Sequence, residues 1–192
     1  MIVEGFDTEG VLMIVNVSKC KEYYKDKEFD YAYPEGLADL ITKGIVHIIT
    51  TDEGIETINW LFDKSKIDLD EWEYKESYNY LDVAEGEGDE IRLVSHARFT
   101  QMCHNHQGDL DAQVESSLFI RNIFNPNDPK DKETILNEDC PKIELQSGKW
   151  IVNVYLSKDN GDYWYPEFTF YFEKTNNIDF EKITLKPLEF FE

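Results

Sequence analysis

The sequence predicts a mainly β fold of the α+β kind: antiparallel sheets packed in β-sandwich fashion, with one or two short helices over residues 34–43 and 110–122. Three observations lead there. Short β-branched or aromatic runs recur between clusters of Gly, Asn, Asp and Pro, which is the punctuation of strands and turns. Apolar residues make up 41% of the chain and aromatic ones 14%, a supply of large side chains that disordered sequences lack. The 192 residues suffice for one sizeable core, so residues 1–192 are expected to form a single domain. If the chain does divide into two lobes, the loop at 125–132 is the place.

Taken in order, residues 1–6 and 11–18 flank the turn-like Asp7-Thr8-Glu9-Gly10 and predict an opening hairpin. Residues 19–29 are polar and tyrosine-containing, with no assignable period. Over 34–43, Pro34 suits a first helical turn, Leu37, Leu40 and Ile41 recur at helical spacing, and Gly44 stands where a left-handed cap is wanted. Residues 45–51 form a β-branched run, Asp52-Glu53-Gly54 turns the chain, and 55–62 return as the next strand.

In 68–90, Trp72, Tyr74, Tyr78 and Tyr80 share one parity and Glu71 and Glu73 the other, the period of a half-buried strand. Leu81 and Val83 fall on the polar parity, so the segment must bulge or break near Glu76, and two strands are expected in place of one. An acidic loop at 85–89 precedes a strand over 90–99. Residues 110–124 are compatible with a helix through Val114, Leu118 and Phe119. The run Asn125-Pro126-Asn127-Asp128-Pro129-Lys130-Asp131-Lys132 excludes regular structure. Strands are expected over 142–145, 149–156, 167–173 and 183–190. The glycine-led strands at 44–49 and 148–154 each end in an acidic turn closed by glycine, which reads as hairpin grammar rather than duplication.

Charge is the outlier of the composition. With 19 basic and 40 acidic residues the net charge is −21 and the isoelectric point near 4.4. Such a field repels nucleic acid and anionic lipid and draws basic proteins from a distance. Residues 68–90 alone hold ten carboxylates and one lysine, beside one tryptophan and three tyrosines. The residues 1–5 lack the basic start and apolar run of a secretory signal, and 11–15 are too short to span a bilayer. Cys20, Cys103 and Cys140 are odd in number and widely spaced, as expected of free thiols in a cytoplasmic protein.

The segment 95–111 carries three of the four histidines. Cys103, His104 and His106, with Asp109, offer donors for zinc, but they crowd into one short run without the second spaced pair that zinc motifs supply. The plainer expectation there is a polar loop at a strand end with solvated histidines. Adjacent Cys103–His104 and Ser95–His96 rarely aim at each other, so neither reads as a nucleophile–base pair. Asp68-Leu69-Asp70 begins like a calcium loop but lacks its glycine. No catalytic residue, metal or cofactor is therefore expected.

What remains is the acidic aromatic surface. Carboxylates at alternate strand positions, roughly 6 to 7 Å apart, suit the lysines and arginines with which a nuclease grips phosphate, and an exposed ring supplies the desolvated anchor. The candidate partner-binding residues are Asp68, Asp70, Glu71, Trp72, Glu73, Tyr74, Glu85, Glu87, Asp89 and Glu90. Were the rings buried in the chain's own core, the anchoring half of the argument would fail.

Residues 143–156, Ile-Glu-Leu-Gln-Ser-Gly-Lys-Trp-Ile-Val-Asn-Val-Tyr-Leu, and the strand Phe168-Thr169-Phe170-Tyr171-Phe172 resemble the closing strands of bacterial competence-nuclease inhibitors and of several immunity-protein families. The resemblance covers about 30 residues of generic hairpin features and transfers no functional residue. It implies a small acidic β-protein, not an enzyme, that neutralises a basic toxin or nuclease by covering its active surface. The alternative is a metal-dependent hydrolase or metal-binding protein centred on Cys103, His104 and His106.

Overall fold

The computed structural model of the chain describes residues 2–50, 55–75, 79–85, 88–158, 167–186 and 188–189. It is a β-rich α+β fold with two mostly antiparallel sheets. In chain order the elements are β1 (Ile2–Asp7), β2 (Val11–Asn16), α1 (Val17–Tyr24), α2 (Ala38–Thr42) after a 3-10 turn at Glu35–Leu37, β3 (Val46–Thr50), β4 (Ile55–Leu61), β5 (Trp72–Lys75), β6 (Tyr80–Val83), β7 (Ile91–Ser95), α3 (His96–His106), α4 (Leu110–Phe124), α5 (Lys132–Asp139), β8 (Lys142–Ile143), β9 (Gly148–Ser157), β10 (Glu167–Thr175) and β11 (Leu188–Glu189).

Among the described residues one sheet has the order β1-β4-β10-β9-β5, with β6 also on β9, and the other the order β11-β3-β2-β7-β8. Two apolar clusters make three layers of them. Leu12, Ile14, Ile49, Ile91 and Leu93 pack with Ile58, Trp60, Val154, Phe168, Phe170 and Phe172 between the sheets. Met13, Val15, Val46, Ile48 and Val94 pack instead with Cys20, Tyr24, Leu40, Phe99, Met102, Val114 and Leu136 of the helices. The five-stranded sheet is therefore the middle layer, and β2 is an uninterrupted apolar run because it is buried on both faces.

This layering overturns the expected opening hairpin. The turn is real, with the Val11 N–H donating to Thr8 O at 3.2 Å, but β1 pairs with β4 in the outer sheet while β2 pairs with β3 and β7. Only Phe6 of β1 is buried, which suits an edge strand; β2 needs cover on both sides. For the same reason β4 does not return beside β3. The linking turn, 51–54, lies outside the described residues.

The helix expected at 34–43 is a 3-10 turn leading into α2. Gly44 does close it at φ 67°, where a Cβ would sit 2.6 Å from the Tyr80 ring. The close approach lets Asp82 N–H donate to Gly44 O at 2.8 Å, stitching β6 to the middle layer. The expected break in 68–90 appears as β5 and β6, both antiparallel to β9.

Three further helices correct the reading. α1 starts at Val17, within the strand expected over 11–18, and runs into the unassigned 19–29; the Asn16 side chain caps it, accepting from Lys19 N–H at 3.0 Å. The strand expected over 90–99 ends at Ser95, and the polar loop expected beyond it is α3. Ser95 caps that helix, Phe99, Met102 and Cys103 form its buried stripe, and left-handed Gln107 ends it. After the loop at 125–131, Asp131 caps α5. Of the strand expected at 183–190, 183–186 are irregular, and only Leu188–Glu189 are described as a strand.

Candidate functional site

β5 ends its sheet, and its outer edge has no strand partner among the described residues. The turn before it is held by its own chemistry. Asp68 Oδ1 accepts from Asp70 N–H at 2.8 Å, and Asp68 O accepts from the N–H groups of Glu71 and Trp72. Lys158, at the end of β9, ties the turn down: its N–H donates to Glu71 O at 2.9 Å and its Nζ to Leu69 O at 2.6 Å. The consequence is a fixed loop whose side chains at 68–71 all face solvent.

Trp72 and Tyr74 stand opposite Ser157 and Tyr155, on the outer face of the sheet. Tyr74 is 50% exposed and leans on Tyr155 with ring centroids 5.3 Å apart. Trp72 is half-buried, Tyr80 is interior, and Tyr78 lies outside the described residues. Leu69 is 64% exposed between Asp68 and Asp70. Burial pushes the Tyr155 phenol above its ordinary range, with Tyr74, Tyr171 and Glu173 adding to it. Among the described residues no lysine or arginine pairs with Asp68, Asp70 or Glu71, whereas Glu73 meets Lys75 at 2.9 Å.

The remaining candidate acids are elsewhere. β5 pairs with β9 at 154–157 and β6 at 148–151, so the loop after β6 sits nine residues along β9 from the Trp72 end, roughly 30 Å at strand spacing. Glu85 is exposed there, and Glu87 lies outside the described residues. Asp89 is engaged internally: its Oδ2 accepts from Ala84 N–H at 2.5 Å and Asn16 Nδ2 at 2.9 Å, with Lys19 Nζ at 3.8 Å. Glu90 pairs with Arg92. The nine described candidates thus form two groups rather than one patch.

Asn16 joins these parts. Fully buried, it caps α1 and donates Nδ2 to both Asp82 O and Asp89 Oδ2. Asn16→Ala is expected to cost about 2 kcal/mol, from a lost cap and the lost Nδ2 hydrogen bonds to Asp82 O, which keeps Lys19 Nζ, and to Asp89. Urea unfolding of the variant checks it.

The histidine segment does not converge. Cys103 faces inward, its Sγ 3.7 Å from that of Cys20, and burial and that neighbour push its thiol up. His104 Nδ1 bonds Asn105 Oδ1 at 2.8 Å while its ring packs on Tyr31, and His96 packs on Tyr33. Asp109 caps α4 and pairs with Lys21 at 2.6 Å. Burial likewise drives Cys140 up to about 12, so it supplies no thiolate nucleophile near neutral pH. Among the described residues, no three His, Cys, Asp or Glu side chains are grouped to hold a metal ion. No described helix is long and apolar enough to cross a membrane.

The class that fold and site define is a β-rich α+β protein with an acidic, ring-bearing sheet edge. Comparison with protein-family models, curated proteins and solved structures finds no match. Sequence reasoning passed over two exposed apolar features: Leu69, and a cluster on α4.

Proposed function

We propose that this chain is a binding protein of the immunity or inhibitor type, which neutralises a basic toxin or nuclease by docking its β5 edge over the partner's active surface. The observation that supports this most is the pairing at one edge of exposed Tyr74 and Leu69 with Asp68, Asp70 and Glu71, which have no cation partner among the described residues. Carboxylates attract and orient a cationic partner, while the ring and the leucine supply the desolvated contacts that hold it. The edge of β5, which has no strand partner among the described residues, also offers backbone groups to an incoming strand.

Affinity capture on the immobilised chain, with the captured protein then purified, tests this reading. A one-to-one complex with a basic protein is expected, with an association rate that falls as salt rises. Tyr74→Ala should weaken it roughly 30-fold, about 2 kcal/mol. Asp70→Lys with Glu71→Lys should slow association and flatten its salt dependence. A complex that keeps its affinity and salt dependence through all three substitutions would place the docking surface elsewhere.

A further inference from the structure

The charge of this molecule has a gap in it, and the gap coincides with its most exposed apolar cluster. On α4, Leu110, Gln113 and Val114 turn inward. Further along, Phe119 is 71% exposed, Ile120 54%, Ile123 59% and Phe124 78%. At 100° per residue these four side chains span one arc of about 140° over the C-terminal part of a 15-residue helix; Ser116 on that arc is exposed, whereas Gln113, nearer the N-terminus, is buried. Isolated exposed apolar residues need no explanation, but four on one helical face do.

Residues 112–132 contain three acids (Glu115, Asp128, Asp131) and three bases (Arg121, Lys130, Lys132), a balance of zero in a chain of −21. The bases are moreover engaged within the chain. Arg121 meets Asp128 at 3.0 Å, Lys132 meets Glu115 at 3.0 Å, and Lys130 pairs with Glu138. Two copies of so acidic a protein repel each other, least so where each is locally neutral. A basic partner is drawn to the acidic edge instead, and an anionic membrane is repelled by the net charge and meets no free cationic rim around the cluster.

We infer that the α4 face carrying Phe119, Ile120, Ile123 and Phe124 is a self-association surface, and that its occupant is the same face of a second copy. A twofold axis across the helix makes the contact isologous, each copy's large side chains meeting their counterparts in antiparallel packing. With about 200 Å² for a whole aromatic side chain, the exposed portions come to roughly 500 Å² per copy, or about 1,000 Å² in all. That meets the lower bound for a specific interface and falls short of what obligate dimers bury, so a reversible dimer is expected.

Sedimentation equilibrium of the full chain, from low to high micromolar concentration, tests this. The expected mass rises towards twice the 22.6 kDa of one chain. Association should be tighter at 1 M than at 0.1 M salt, because the Debye length shrinks from about 10 to 3 Å and repulsion is screened. The variant Phe119→Glu with Ile123→Glu should weaken dimerisation at least 100-fold. Because both residues are exposed it should keep the wild-type circular dichroism, and the Tm that the wild type shows when diluted below its dissociation constant. Tyr74→Ala should leave the mass unchanged, which separates this result from the docking reading.

A wild-type chain that stays monomeric at every concentration and both salts overturns the inference, as does a dimer that survives in the folded double variant. Binding of a monomeric wild-type chain to phosphatidylcholine vesicles, lost in the double variant, overturns it by assigning the face to lipid.

Discussion

Lowering the pH from about 7.5 to 5 should cost the wild-type protein about 2 kcal/mol of stability through one side chain, His47, and His47→Leu should abolish that part of the loss. His47 sits in β3 opposite Ile14, wholly buried, and its ring nitrogens meet no partner among the described residues. Burial lowers its pKa to about 4. The unfolded chain takes up a proton at the ordinary histidine value of about 6.5, while the folded chain resists until about 4. Between those values the unfolded state binds more protons. The stabilisation is therefore complete above about pH 6.5 and drains away as the pH falls towards 4, about 3 kcal/mol in all.

Stopping at pH 5 keeps clear of the isoelectric point near 4.4. It also keeps above the titration of Asp39, which a hydrogen bond from Lys43 holds below the ordinary carboxylate range in both chains. Urea unfolding at the two pH values, wild type against variant, gives the difference directly. Parallel acid limbs would mean that His47 is not held neutral.

Arg92→Met should be the more damaging substitution at neutral pH, about 3 kcal/mol, which is near 10 °C in Tm for a chain of this size. Arg92 leaves β7 on the helix side, 7% exposed. Its Nη1 donates to Leu136 O at 2.9 Å and Cys140 O at 2.5 Å, and its Nε to Glu90. One planar fork thus binds two carbonyls in the last turn and cap of α5 and the carboxylate of the residue that precedes β7. Methionine fills the space but leaves Cys140 O without its donor and Leu136 O with the Cys140 N–H alone, and Arg92→Lys should recover little because a single ammonium cannot replace the fork. Adding Glu90→Gln to Arg92→Met should return part of the loss by removing the orphaned charge. A loss below about 1 kcal/mol would mean that the fork does not hold α5 to the sheet.

Much of the fold class was legible in the sequence because period-two patterns report which residues share a face. They do not report partners. Nothing in residues 1–18 distinguishes a hairpin from a chain crossing between layers, except that Val11 to Val15 are apolar on both parities, the mark of a strand covered on each side. The helix α3 was hidden by its chemistry. Histidines, glutamine and asparagine draw attention from Phe99, Met102 and Cys103, whose spacing of three and four residues is helical. In the candidate site, the acids around Tyr74 stand out by composition. That Asp89 is committed inward depends on Asn16, 73 residues away, which no local pattern reveals. In sequence Val114, Leu118 and Phe119 mark only a segment compatible with a helix, and it is the packing of α4 that leaves Phe119 and Phe124 outside.

The place of β10 has a consequence for how the chain is made. It lies between β4 and β9, parallel to one and antiparallel to the other, so the outer sheet cannot close until residue 175 has emerged. At ribosomal rates of roughly 5 to 20 residues per second, β4 waits some 5 to 20 s for its neighbour. Throughout that interval Ile58 and Trp60 lack the phenylalanines that later cover them. An incomplete polypeptide in that condition is sticky, and a heavily anionic one is kept from its siblings on the same message.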